Sequence, residues 1–220
     1  MTQANDSILV TPGSGATVAT HTVSSKEHQV VMVADDSGHI QGSLPTYFYC
    51  TPPISVGSNK LLCDLFNATG SGKVMNILGI WLIPKLDVAV TGALAIRVDL
   101  YRTSAVGTGG TEASTNSDTV DVGGGNFTKF DENNAAIPAQ ITARVAPTGG
   151  ATISRWLFPS NVAPEESNTS MGYLAQQQNL IPQFMRGQRL VVRENSGILL
   201  RQGSVASVGS VSCRIAFTLE

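Results

Sequence analysis

The chain has 220 residues, a formal net charge of −2 and a charged fraction of 14%, against about 25% for an average soluble domain. It is long enough to bury a sizeable core, yet it contains no basic run of five or more residues that would mark a nucleic-acid surface. Its polarity comes from Ser, Thr, Asn, Gln and 22 Gly, a composition that predicts a weakly charged, turn-rich surface suited to being covered by neighbours.

Residues 1–44 read differently from the rest. Short apolar runs at 8–10 and 29–33 alternate with turn-formers at 11–15 (Thr-Pro-Gly-Ser-Gly), 22–27 (Thr-Val-Ser-Ser-Lys-Glu) and 35–39 (Asp-Asp-Ser-Gly-His). Asp tolerates turn geometry and Gly supplies positive φ. The pattern predicts an extended arm with one or two short strands. Two short strands are marginal alone, so the arm is expected to dock on its own body or on a neighbouring subunit, with Val30, Val31, Met32 and Val33 as the candidate assembly segment. The segment 1–6 has neither a positive n-region nor an early apolar h-region, so no signal peptide is expected.

The body, residues 45–220, carries the strand signal. Candidate strands in chain order are 46–50, 60–67, 73–83, 94–103, 140–145, 189–193, 198–202 and 211–219. In the fourth, Leu94, Ile96, Val98 and Leu100 alternate with Arg97, Asp99 and Tyr101. In the last, Val211, Cys213, Ile215, Phe217 and Leu219 oppose Ser212, Arg214, Thr218 and Glu220. A period of two means one packed face and one wet face. The longest apolar run, 74–83, contains Asn76 and Gly79 and is about half the ~20 residues of a membrane span; it reads as a central strand covered on both faces. Tight turns are expected at 69–72 (Thr-Gly-Ser-Gly) and, as a hairpin, at 194–197 (Glu-Asn-Ser-Gly). About eight strands predict an all-β fold: a jelly-roll-like antiparallel β-sandwich with an extended N-terminal arm. Residues 104–139, with Gly123, Gly124 and Gly125, read as a long surface excursion. Residues 159–187, with Pro159, Pro164 and Pro182, read as a second long loop, with single helical turns conceivable after Pro164 and over 171–178. Both are places to expect subunit contacts.

Catalytic and metal-binding patterns find little support. Gly70-Ser71-Gly72-Lys73 resembles the end of a phosphate-binding loop, but Asn67 stands where the first Gly belongs and Val74 where Ser or Thr would reach Mg²⁺. The next segment is strand-like, so no helix N-terminus faces a phosphate. His21, His28 and His39 are too widely spaced for a zinc pair. No Gly-x-Ser-x-Gly elbow occurs, and Glu165-Glu166 reads as a solvated pair rather than a glycosidase dyad. The expectation is no enzyme, no metal and no cofactor. Cys50, Cys63 and Cys213, odd in number and irregular in spacing, read as buried free thiols, consistent with synthesis in a reducing cytoplasm. Tyr47, in the run Tyr47-Phe48-Tyr49, and Trp156, beside Arg155, are the candidate aromatic surface, with core packing as the plainer reading.

Several stretches together carry a resemblance. Residues 65–73 (Leu-Phe-Asn-Ala-Thr-Gly-Ser-Gly-Lys), 90–92 (Val-Thr-Gly), 109–111 (Gly-Gly-Thr), 134–144 (Asn-Ala-Ala-Ile-Pro-Ala-Gln-Ile-Thr-Ala-Arg) and 190–197 (Leu-Val-Val-Arg-Glu-Asn-Ser-Gly) make the body similar to a class of tailed-bacteriophage virion proteins. Residues 13–20 and 28–36 resemble an N-terminal segment recurrent in phage structural proteins, although His21 and Thr22 stand where that segment is usually acidic. The resemblance implies a non-enzymatic virion protein, made in the host bacterial cytoplasm, that decorates or cements the capsid surface. Its expected partners are its own copies, with a trimer favoured, and the major capsid protein or other virion proteins; neither nucleic acid nor membrane is expected. A tail, baseplate or head-fibre position is the near alternative. A carbohydrate-binding attachment module is the alternative of another class.

Overall fold

The structure, a computed structural model, describes residues 18–23, 26–31, 44–84, 92, 94–115, 123–162, 178–180 and 190–220. The chain divides into two compact units, Met1–Leu44 and Pro45–Glu220.

In the first unit β1 (Val18–Val23) and β2 (Lys26–Val31) form a two-stranded antiparallel sheet. Val18 lies opposite Val31 and Val23 opposite Lys26, so the polar residues Thr22, Lys26 and Glu27 sit at the strand ends. The apolar run at 8–10 and the turn signal at 35–39 lie outside the described residues.

The second unit is all-β among its described residues. Its strands are β3 (Thr46–Cys50), β4 (Ile54–Ser55), β5 (Leu61–Asn67), β6 (Met75–Pro84), β7 (Ile96–Thr103), β8 (Thr111–Glu112), β9 (Asn126–Lys129), β10 (Ile141–Val145), β11 (Ile153–Val162), β12 (Gln178–Asn179), β13 (Leu190–Val192), β14 (Ser196–Gln202) and β15 (Ser210–Leu219). One layer has six strands in the order β11-β7-β14-β5-β10-β8. The other runs β12-β6-β15-β3-β9, with β13 also on β6 and β4 also on β15. The two antiparallel layers enclose one hydrophobic core, the expected jelly-roll-like sandwich.

The core follows from the alternation. Val211, Cys213, Ile215, Phe217 and Leu219 of β15 and Ile96, Val98 and Leu100 of β7 all point inward and are buried. Leu94 departs from the pattern: it precedes β7 and is exposed. Asp99, on the face expected to be wet, is buried because Trp156 and Arg97 lie over it. β6 is the expected strand covered on both faces, except at Leu78, which a β-bulge opposite Ala216 and Phe217 turns outward.

Two expectations need correction. Among the described residues no two consecutive strands of the body pair with each other. The turn at 69–72 therefore joins β5 in one layer to β6 in the other, and the turn at 194–197 joins β13 to β14 across the same gap. Both are sandwich corners rather than hairpins; glycine and Asn195, at φ 58°, make the chain reverse without choosing the sheet it enters. The excursion at 104–139 also contributes structure, with β8 at one end of the six-stranded sheet and β9 at one end of the seven-stranded sheet. Gly124 lets these edges come together: a Cβ there would lie 1.7 Å from the Glu112 carbonyl oxygen. The helical turns considered over 164–178 fall outside the described residues, apart from Gln178, which belongs to a strand.

Candidate functional site

The candidate assembly segment is divided. Val30 and Val31 end β2, opposite Ala19 and Val18; Met32 and Val33 lie outside the described residues. β1 and β2 form a sheet of two strands only, so each has one ladder side with no strand partner among the described residues.

Of the two candidate aromatic residues, Tyr47 takes the plainer reading and Trp156 stands at the surface. Tyr47 is a core residue, 1% exposed, stacked on Phe217 with ring centroids 5.7 Å apart, and its hydroxyl donates to the Ala135 carbonyl at 2.9 Å. Alternation along β3 sends Tyr47 and Tyr49 inward together and leaves Phe48 on the other face, where it meets Phe130. Trp156 is 47% exposed on β11. Its Nε1–H donates to Asp99 Oδ1 at 3.0 Å, and the Arg97 Nε–H donates to the same oxygen at 2.8 Å. The Arg97 guanidinium carbon lies 6.0 Å from the indole centroid, within cation–π range. Asp99 is opposite Arg201 in the β7–β14 register. The result is an indole plate fixed at the margin of the six-stranded sheet by a buried carboxylate, with cationic side chains around it.

The phosphate-loop look-alike has a structural task. The Gly72 backbone N–H donates to Glu194 Oε1 at 2.7 Å, and the Ser71 hydroxyl reaches the same oxygen at 3.3 Å. Lys73 N–H folds back onto Ser71 Oγ at 3.1 Å. Thr69 donates to Asn195 Oδ1. An anion does occupy this loop, and it is a carboxylate of the chain itself, joining one sandwich corner to the other.

Asp64 carries no signal in the sequence. It lies on β5, opposite Leu199 of β14 and Arg144 of β10, and is buried. Oδ2 accepts the Gly107 N–H at 2.7 Å, while Oδ1 has no hydrogen-bond partner. Burial pushes its carboxyl pKa up; the Gly107 N–H and then contacts with Arg144 oppose the shift. In the sequence it reads as one polar interruption in Leu-Leu-Cys-Asp-Leu-Phe, with nothing to mark it as buried.

The three cysteines are free. Cys63 on β5 and Cys213 on β15 are buried on opposing sheets. A hydrogen bond with Cys213 and burial push the Cys63 thiol pKa well up. Cys50 is half-buried, and burial raises its thiol against the pull of Arg214. Among the described residues no group of three His, Cys, Asp or Glu is placed to hold a metal ion, and no helix is long and apolar enough to cross a membrane. No protein-family model, curated protein or solved structure matches the chain.

Proposed function

We propose that this protein is a non-enzymatic structural subunit of a bacteriophage particle, decorating or cementing the capsid through contacts between its own copies and with the shell. The observation that carries the reading is the N-terminal two-stranded sheet, a separate unit in which each strand has one ladder side without a strand partner among the described residues. A lone hairpin is marginal in water, whereas main-chain hydrogen bonds to another sheet's edge stabilise it and bind the partner in one step. The low charge and long loops suit extensive contact, and many copies per shell turn weak contacts into avidity. The resemblance of residues 13–20 and 28–36 to segments of phage structural proteins supports the same assignment. The test is deletion of residues 1–44. The remaining unit, with its own core, stays folded and soluble but no longer sediments with particles; normal incorporation of the truncated protein would overturn the reading. Copy number separates shell from tail: hundreds per particle mean decoration, a dozen or fewer a tail or baseplate position.

A second reading has one observation in its favour. Trp156 is half exposed and held in place by Asp99 beside Arg97, and a rigid indole with adjacent polar groups suits the face of a sugar ring. A glycan array distinguishes the two: binding lost in Trp156→Ala supports an attachment module, and no binding by the wild type removes it.

A further inference from the structure

We infer that the exposed side of β11 is the receptor for β2 of a second copy of this chain, so that each copy both donates its N-terminal hairpin and accepts another's. The inference rests on the assembly reading above and names the surface that reading leaves open. β1 and β2 are six residues each and form a sheet of two strands; three or more strands, or a packed face, are needed for independent stability. The strand that completes the hairpin must offer an open ladder of comparable length. The outer strands of the body differ sharply in this respect. β8 and β12 have two residues each, β13 three and β9 four. β11 has ten and is the terminal strand of the six-stranded sheet. Only β11, among the described strands, can pair with all six residues of β2.

The chemistry of β11 agrees. A long exposed edge strand is a template for another chain, and proteins that keep such an edge unpaired usually shorten it, charge it, bulge it, place Pro in it or cover it; β11 carries Arg155, Pro159 and two register shifts, yet keeps its length and its exposed Ile153 and Trp156. Residues 153–156 are all exposed, with Ile153 40% and Trp156 47% accessible. Apolar side chains therefore stand open on a strand that, among the described residues, also has a ladder side without a strand partner. Pro159 lies beyond this stretch, and the register shifts in the β7 pairing, between Ile153 and Arg155 and between Trp156 and Phe158, twist the edge locally. Donor and acceptor are different surfaces, so the contact runs head to tail and closes into a ring or a reciprocal exchange of arms.

The test uses the full chain with Arg155→Lys, a conservative change at an exposed position. Natural Lys26 begins β2. Paired strands lie about 5 Å apart, well within reach of an amine-specific cross-linker. Unlabelled and ¹⁵N-labelled chains are mixed 1:1, refolded together and cross-linked, and the linked peptides are read by mass spectrometry. The expected result is a link between position 155 and Lys26 in which about half of the pairs combine a light with a heavy peptide, the statistical share for exchange between copies. Pairs that are only light–light or heavy–heavy place the contact within one chain and overturn the inference. An oligomer whose links from position 155 go elsewhere also overturns it, as does a chain that stays monomeric at high concentration. Neither of those two results touches the assembly reading if the wild type still joins particles in an arm-dependent way.

Discussion

The backbone N–H of Gly72 donates to the carboxylate of Glu194 at 2.7 Å, across two of the corners at which the chain passes from one sheet to the other. The two corners are far apart in sequence and adjacent in space, so this bond couples the β5–β6 connection to the β13–β14 connection. A charge-assisted hydrogen bond is shorter and stronger than a neutral one, but both partners are exposed, and solvent reduces its net worth to about 0.5–1.5 kcal/mol. Glu194→Ala should lower stability by about that amount, and Glu194→Gln, which keeps an acceptor, by less. Denaturant titration at unchanged m-value is the measurement.

The aromatic residues separate into two energetic classes. Phe217 contacts Tyr47 at 5.7 Å and Phe127 at 6.2 Å between ring centroids, and is fully buried. Phe217→Ala removes packing from the centre of the sandwich and should cost about 3–5 kcal/mol, enough to unfold a protein of ordinary stability. Trp156→Ala should cost about 1 kcal/mol, since it removes one hydrogen bond and an exposed cation–π contact. Near-UV circular dichroism with thermal unfolding tests the contrast. If Trp156→Ala proves as damaging as Phe217→Ala, the indole is structural and not a docking or binding plate.

How far the fold was legible depended on how local each signal is. β7 and β15 could be read because alternate positions such as Val98, Leu100, Ile215 and Phe217 all face one core. β11 was missed, although it has ten residues. As an edge strand it buries few side chains, Pro159 interrupts it, and its run Ile-Ser-Arg-Trp-Leu-Phe-Pro mixes both classes without a period. The corners at 69–72 and 194–197 were legible as reversals but not as crossings between layers, since positive φ at Gly70, Gly72 and Asn195 fixes local direction only. Which strand each element joins is a long-range choice: Val211 to Leu219 must find β6 and β3 from more than a hundred residues away. Of the candidate surface, Trp156 was identified by being next to Arg155, while the partners that fix it, Arg97 and Asp99, come from another strand. For Tyr47 the plainer reading, core packing, agrees with its burial, and its period-two relation to Tyr49 puts both rings on one face.

The cysteines give a reactivity order. The Cys63 thiol pKa is raised well above normal by its bond to Cys213 and by burial, and that of Cys50 is raised by burial with Arg214 opposing. Thiolate is the reactive form, so native protein at neutral pH should react slowly with iodoacetamide, Cys50 first because it alone is partly accessible. In denaturant all three should label at the rate of a free thiol. Mass spectrometry of peptides over a labelling time course reads the order; fast native labelling of Cys63 or Cys213 would mean that the core opens far more often than its packing implies.

Asp64 supplies a pH dependence with a definite sign. Burial raises its pKa in the folded state above the ordinary carboxylate value, so the folded chain holds this proton more tightly than the unfolded chain does. Stability then falls as pH rises from the unfolded value towards the folded one, and above the folded value the cost of keeping a charged carboxylate with one unpartnered oxygen is fully present. Below the unfolded value the cost vanishes. Asp64→Asn retains an acceptor for the Gly107 N–H and cannot ionise, so it lacks this term. Other carboxylates titrate in the same range, and the informative quantity is therefore the stability of Asp64→Asn minus that of the wild type, measured by denaturant unfolding from pH 3 to pH 7. That difference should increase with pH above about 4 and then level off. A difference that decreases with pH would mean that Asp64 is stabilised as the anion, with Arg144 and the Gly107 N–H outweighing burial.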